Sequence, residues 1–499
     1  MRHAVPEVTP SLLLGVDLGS SAVKAVLLDP DRGIVATSSR PVSLFSDHPG
    51  WAEADPQEWW NGVRAVIPKL LDAAHATAHD IAAVAVSGMV PAVLVLDANG
   101  APLRRAILQN DARASQEIRD LGEALSSVDL LGSTGSVLSQ QSVAPTALWL
   151  SRHEPDVWRR ASSVQGSYDW LARTLGAPAH VEQNWALESG LYQFDLRPLH
   201  SLLALTAIEW PEPLRVEMSG AIVGEVSRAA SEATGLSEGT PIVVGGADHV
   251  LSAYGAGLVR HGDCLVKLGG AGDILAVSDD VLLDARLYLD RHVVPGKWLP
   301  NGCMATSGSL LRWEQSIFNS APLAELDDAA RVSAPGALLS LPYFLGEKTP
   351  LHDPDLRGVM LGMHLGTTRG DIHRSFLEGI AYGFRSHVDV FAQCGLSITT
   401  TRVTNGGSRS RLWREILADV LGRELSSIVD HPGASYGAAV LAGIGVGLID
   451  DWTYVVGSLE IDETITPNPA NVALYDERYR QFLDLGDRTA PISHLVARS

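Results

Sequence analysis

Asp17, Gly19, Ser20 and Ser21 form an Asp-x-Gly-Ser turn between two apolar runs. Glycine there lets backbone amides approach phosphate oxygens, and the carboxylate can hold a magnesium ion through water. The same residues would also suit a tight hairpin with a helpful serine. Lys24, on the next run, either approaches phosphate or lies exposed on a strand. A second constellation, Gly245-Gly246-Ala247-Asp248, puts a carboxylate at the mouth of a buried run, where the carboxyl ends of parallel strands collect ligands. Such a carboxylate can accept a proton from a hydroxyl, or it can cap a helix that begins there. Two further glycine turns lie at residues 269–272 and at Gly406-Gly407. The first can cradle a phosphate through its amides or be a plain hairpin turn. The second, ahead of a helix, can admit a flat adenine or a phosphate, or can simply reverse the chain.

Each turn needs elements to hold it. Residues 12–17 read as a buried strand, 23–28 as its hairpin partner, and a third strand follows the turn at 29–33. Helical periodicity runs over 59–76, and 81–86 returns to a buried strand that ends at Ser87-Gly88. The pattern recurs with a strand at 241–244 entering the Asp248 turn, a helix-like segment to Gly257, a strand at 264–268 and another at 273–277. An amphipathic helix over 412–421 follows the turn at 403–408. Strands alternating with helices predict an α/β architecture. One strand, glycine turn and strand unit opens each half, which predicts a duplicated fold whose halves face each other across a cleft. The division is drawn as 11–257 for the first lobe and 258–485 for the second, with residues 1–10 as a loose leader.

Composition narrows the class. The chain has 499 residues, 46% of them hydrophobic and 19% charged, enough for two sizeable cores and unlike a disordered chain. A formal net charge of -20 speaks against a sequence-independent grip on nucleic acid or on an anionic membrane. The three cysteines, Cys264, Cys303 and Cys394, are scattered without metal-binding spacing and read as reduced, mostly buried thiols. With no basic and then apolar opening segment, the chain reads as cytoplasmic. The glycine-rich apolar stretch 436–449 is too short for a bilayer and suits a packed core helix.

The order and spacing of these signals, from about Leu12 to about Tyr479, resemble the FGGY carbohydrate kinases, the group that contains xylulokinase, ribulokinase and glycerol kinase. Residues 15–24 look like the first phosphate motif, 51–60 like an early signature segment, and 243–249 like the segment with the catalytic aspartate. Residues 341–350 with Asp353-Pro354 and Arg357-Gly358 resemble a later block of the family. Residues 405–410 with Trp413, Ala418-Asp419 and Gly437-Ala438-Ala439 resemble the adenosine-binding motif and its supporting helices. The resemblance implies two ribonuclease H-like lobes of the actin, sugar kinase and Hsp70 type around a central cleft, and ATP-dependent transfer to a hydroxyl of a small sugar or polyol, with a ketopentose as the family-level favourite. It implies Asp248 as general base, Asp17 and Asp248 at a Mg2+ ion, Gly19, Ser20, Ser21 and Lys24 beside phosphates with Gly269 and Gly270, and Gly406, Gly407 and Ser410 beside adenosine. A homodimer is common in the family, although no seam is legible here.

Several positions depart from the pattern. Met89-Val90-Pro91 stands where the xylulokinase branch has Met-His-Gly, so a sugar-touching histidine is missing. Gln109 replaces an aromatic residue two positions before Asp111, an amide in place of a wall; Asp111 and Arg113 read as substrate-lobe residues or as a surface ion pair. His249 follows the proposed base where asparagine or glutamine is frequent, and reads as a substrate contact or as a packed histidine at a helix start. Gly269-Gly270-Ala271 keeps the amides of the second phosphate turn but lacks its threonine hydroxyl. These changes weaken a D-xylulose assignment and keep open a sugar-responsive binding protein on a kinase scaffold that has lost transfer. An Hsp70-like ATPase would need a peptide-binding lobe that is not recognisable in the chain.

Overall fold

The computed structural model describes residues 10–126, 128–428, 431 and 433–497. Apart from Pro10, the leader lies outside them. The chain packs into two units, one of residues 1–257, 290–297 and 432–458, the other of residues 258–289, 298–431 and 459–499. The first break falls between Gly257 and Leu258, but the second unit is not the continuous run drawn from sequence, because two later segments join the first unit.

The first unit is built on a six-stranded sheet in the order Ile222–Glu225, Pro241–Ala247, Ile81–Gly88, Leu12–Leu18, Ala22–Asp29, Gly33–Pro41. The three middle strands are parallel, and the hairpin and the first edge strand are antiparallel. Leu12–Leu18 is buried along almost its whole length, as expected for a central strand covered on both faces. The helix Pro56–Ala73 covers the hairpin; Asp55 caps it by accepting from Gln57 N at 2.9 Å, and proline fills its first position. Ala434–Val446 lies against the central strands so closely that a Cβ on Gly15 would come within 1.9 Å of the Ser435 carbonyl oxygen. A Cβ on Gly437 would come within 2.2 Å of the Leu251 carbonyl oxygen. Gly437-Ala438-Ala439, grouped in the sequence with the adenosine motif, therefore belongs to the core of the first unit.

The sheet of the second unit repeats this plan. It has seven strands, and from Ile461–Ile465 the order runs Leu425–Ile428, Thr400–Thr404, Asp263–Leu268, Gly272–Ala276, Trp298–Met304, Tyr288–Arg291. Again three parallel strands meet an antiparallel hairpin, Ile461–Ile465 is an antiparallel edge strand, and Trp298–Met304 pairs antiparallel with the hairpin. The long helix Arg369–Gln393 backs the sheet and opens with a capping box of Thr368 and Asp371. Two units of one α/β topology are the ribonuclease H-like duplication expected from the paired glycine hairpins. No helix among the described residues is long and apolar enough to cross a membrane. The cysteines are all unbridged, and burial pushes the Cys264 thiol up to about 12.

Candidate active site

Strand register assembles the candidate residues of the first unit. Asp17 pairs in register with Ser87, and so does Gly246 on the other side of the same strand. Three parallel strands therefore end side by side, one in Asp17 and the Gly19-Ser20-Ser21 turn, one in Ser87-Gly88, one in Ala247 followed by Asp248. Asp17 is half-buried, Ser20 and Ser21 are exposed, and Lys24 stands opposite Asp17 on the neighbouring strand with its side chain exposed. The Gly19 amide closes the turn on Ala22 O at 3.1 Å.

Asp248 is the first residue of the helix Asp248–Gly255; Ala247 occupies the cap position, and no side chain makes a cap hydrogen bond there. The carboxylate of Asp248 is 38% exposed at the end of an otherwise buried strand. Its side chain is thus partly solvent-exposed where the strand gives way to the helix.

His249 beside it is fixed from behind. Its Nε2 lies 2.7 Å from Asp290 Oδ2 and 3.7 Å from Glu188 Oε1, while Nδ1 lies 3.6 Å from Asp248 Oδ1. Burial alone would lower the imidazole, but Asp290, Asp248 and Glu188 together hold it well above the usual histidine range. Burial and the Asp290 charge push Glu188 well above the carboxylate range. His249 is thus an oriented imidazole between Asp248 and the Asp290 and Glu188 carboxyl groups. Glu188 ends the helix Gln183–Glu188, and Asp290 arrives from a distant strand, so neither gave a local signal in the sequence.

The remaining substrate-side candidates divide. Met89 and Val90 are buried, 3% and 4% exposed, and the Met89 carbonyl accepts from Ser167 Oγ at 3.3 Å. Gln109 Oε1 is buried with no hydrogen-bond partner among the described residues. Asp111 and Arg113 form a buried ion pair, which corrects the surface alternative. Asp111 Oδ2 accepts from Ala52 N at 2.6 Å and from Arg113 Nη2 at 2.7 Å; its Oδ1 accepts from Arg113 N and Nε at 2.9 and 2.8 Å. The guanidinium also binds Glu53 and lies 3.7 Å over the Trp51 ring. This pair anchors the loop of residues 50–54 against its neighbours.

In the second unit Gly269, Gly270, Gly406, Gly407 and Ser410 line one cavity of about 570 Å³. The carbonyls of the first turn accept from the start of the helix Gly308–Ile317, Gly308 N to Gly269 O at 2.8 Å and Ser309 N to Gly270 O at 3.0 Å. A Cβ on Gly407 would come within 2.5 Å of the Trp413 ring, so glycine lets chain and indole close together. Ser410 Oγ accepts from Trp413 N at 3.1 Å and caps the helix Arg411–Leu421. Leu311, Leu377 and Trp413 supply apolar walls, and Arg312 and Arg409 supply positive charge. Such a slot suits a flat base with phosphates at its glycine end.

Two profiles match the chain, one for the N-terminal domain of the FGGY family of carbohydrate kinases over residues 12–255 and one for its C-terminal domain over residues 283–446. The chain belongs to the FGGY family of carbohydrate kinases. It is 29% identical over 486 residues to the xylulose kinase of Staphylococcus epidermidis, covering 94% of this chain and 95% of that one. The crystal structure of xylulose kinase from Rhodospirillum rubrum superposes with a TM-score of 0.91 at 39% identity, covering 97% of this chain and all of the other. An Escherichia coli protein described as L-xylulose/3-keto-L-gulonate kinase is 27% identical, covering 95% and 96%. This protein is an ATP-dependent carbohydrate kinase.

The kinase has one further charged cluster beside its cavity that sequence spacing did not reveal. His373 lies 2.6 Å from Glu314 Oε2 through Nδ1 and 2.9 Å from Asp327 Oδ1 through Nε2. Burial pulls this imidazole down, but the hydrogen bonds to Asp327 and Glu314 lift it to about 9. A folded value above the unfolded one, about 6.5, gives stability that is complete below the unfolded value and lost as pH rises through about 9. Thermal stability is therefore expected to fall between neutral pH and pH about 9.5, and His373→Gln to flatten that fall. Melting curves across this range check it, and an unchanged slope in the variant would remove His373 as the source.

Proposed function

We propose that this kinase phosphorylates a hydroxyl of a ketopentose or a closely related ketose, with Asp248 as the general base. The convergence of Asp17, Ser87 and Asp248 at the carboxyl ends of three registered parallel strands carries this reading. The acceptor O–H gives its proton to Asp248 as the oxygen attacks the γ-phosphorus in line, and the bond from that phosphorus to the ADP oxygen breaks. Little covalent help is required, since positioning and charge stabilisation supply most of the rate. Asp17 and Asp248 offer hard carboxylate oxygens suited to Mg2+ held through water, and that ion would neutralise charge on the phosphates. In the first unit the amides at Gly19, Ser20 and Ser21, with Lys24 on the adjoining strand, and in the second unit those at Gly269 and Gly270, would each offer donors to phosphate oxygens.

On the acceptor side, Gln109 contributes an amide oxygen with no hydrogen-bond partner among the described residues, and His249 contributes an oriented donor. Met89 and Val90 would form a dry wall where relatives of the xylulokinase branch carry a polar contact. Asp111 and Arg113 would shape the pocket from behind, their polar atoms being largely committed to one another. The names of the relatives point to xylulose and keto-gulonate classes, and the exchange of polar groups between positions 90, 109 and 249 is the basis for expecting a related but different ketose.

ADP release with MgATP across pentuloses, tetruloses, keto-acids and three- to six-carbon polyols, with a no-acceptor control, tests the reading. Strong release with one ketose class supports it, and release only with polyols or only without acceptor would sink it. With that acceptor, His249→Asn is expected to raise the acceptor KM by about 10- to 100-fold, the scale of a lost charged hydrogen bond, while the KM for ATP stays within about two-fold. Equal changes in both constants would take His249 out of acceptor recognition.

A further inference from the structure

Three helices of the second unit, Gly308–Ile317, Leu323–Arg331 and Arg369–Gln393, supply Glu314, Asp327 and His373. Glu314 and His373 are fully buried, whereas the Asp327 side chain is 17% exposed and borders the nucleotide cavity. Asp327 Oδ1 is bound to His373 Nε2, and among the described residues Oδ2 accepts no hydrogen bond. Glu314 Oε1 is buried without a hydrogen-bond partner among the described residues, so this carboxylate faces the histidine and little else. A histidine between two carboxylates donates to both, which fixes the plane of the Asp327 carboxylate.

Among the described residues Asp327 is the only acid that lines the cavity, which Leu311, Leu323, Ala324 and Leu377 line as well. A carboxylate at the edge of an apolar slot accepts hydrogen bonds and repels carbonyl oxygens, so it distinguishes bases by the group they present there. Adenine carries an exocyclic amine; hypoxanthine and guanine carry a carbonyl oxygen at that carbon. We propose that Asp327, oriented by His373 and Glu314, accepts a hydrogen bond from the 6-amino group of the base and sets the preference of this kinase for ATP over 6-oxopurine triphosphates. This rests on the reading of the cavity as the nucleotide site and is independent of which sugar is the acceptor.

Calorimetric binding of MgADP and MgIDP to the whole protein tests it without any acceptor. The wild-type protein is expected to bind ADP about 10- to 100-fold more tightly than IDP, the range of a charged hydrogen bond and its loss. In Asp327→Asn, whose amide can turn either its oxygen or its nitrogen to the base, the ratio is expected to shrink to about three-fold or less. Asp327→Ala, with no polar group there, should shrink it as well. A ratio near one in the wild type, or a ratio unchanged in both variants, would overturn the proposal. A parallel loss of both nucleotides is what a merely structural role would give, and it counts against the proposal too. Failure of both nucleotides to bind the wild type would overturn the cavity reading itself, whereas failure of the ketose panel with nucleotide selectivity intact would touch only the acceptor assignment.

Discussion

Asp248→Asn is expected to lower turnover by about 100- to 10,000-fold, the usual scale for loss of a general base, while ADP binding changes by less than about two-fold. The substitution is nearly isosteric at a side chain that is 38% exposed, so the strand Pro241–Ala247 and the helix after it should stand unchanged. An amide in that position cannot take the acceptor proton. It also removes one of the charges beside His249, but Asp290 at 2.7 Å and Glu188 at 3.7 Å remain, so the imidazole should keep its orientation. Steady-state kinetics with the best acceptor, together with ADP binding, make the measurement. Near-normal turnover would move the role of base to another group. A loss shared by turnover and nucleotide binding would indicate a disturbed fold instead.

Gly15→Ala is expected to cost about 3 kcal/mol or more, at or beyond the upper end of ordinary overpacking. The reason is that the new methyl would meet backbone rather than a yielding side chain. Its Cβ would lie 1.9 Å from the Ser435 carbonyl oxygen and 2.5 Å from the Ala439 amide nitrogen. Neither can rotate away, and the strand that carries Gly15 has a bonded neighbour on each side. The helix Ala434–Val446 would have to lift from the sheet, opening apolar contacts along most of its buried length. A fall in melting temperature of about 5 to 10 °C or more is the expected outcome, read by thermal denaturation. A change within about 2 °C would mean that helix and strand do not approach as described.

What was legible in the sequence was whatever depends on neighbours along the chain. The hairpin of Leu12–Leu18 with Ala22–Asp29, its counterpart around residues 269–272, and the strand that runs into Asp248 follow from alternation, glycine turns and helix starts spaced a few residues apart. The parallel pairing that aligns Asp17 with Ser87 and Gly246 is set by packing over long separations and emerges only in the folded sheet. The same holds for Glu188 and Asp290 behind His249, which lie about sixty and forty residues away along the chain and carry no shared motif. For Asp111 and Arg113 the sequence leaves substrate-lobe residues and a surface ion pair as alternatives, because burial is a property of what covers them, here Trp51 and Ala52. The glycine pattern at 437–445 announced close packing without saying which sheet would receive it.

The placement of that helix has a consequence for synthesis. Residues up to Gly257 leave the ribosome first, but their central sheet lacks the element that covers Gly15 until Val446 has been added. At about 5 to 20 residues per second, the sheet waits roughly 10 to 40 s with an apolar face that only a distant part of the same chain can cover. During that interval the first sheet keeps an apolar face exposed, and a message truncated anywhere before the helix would yield a first unit with that face uncovered.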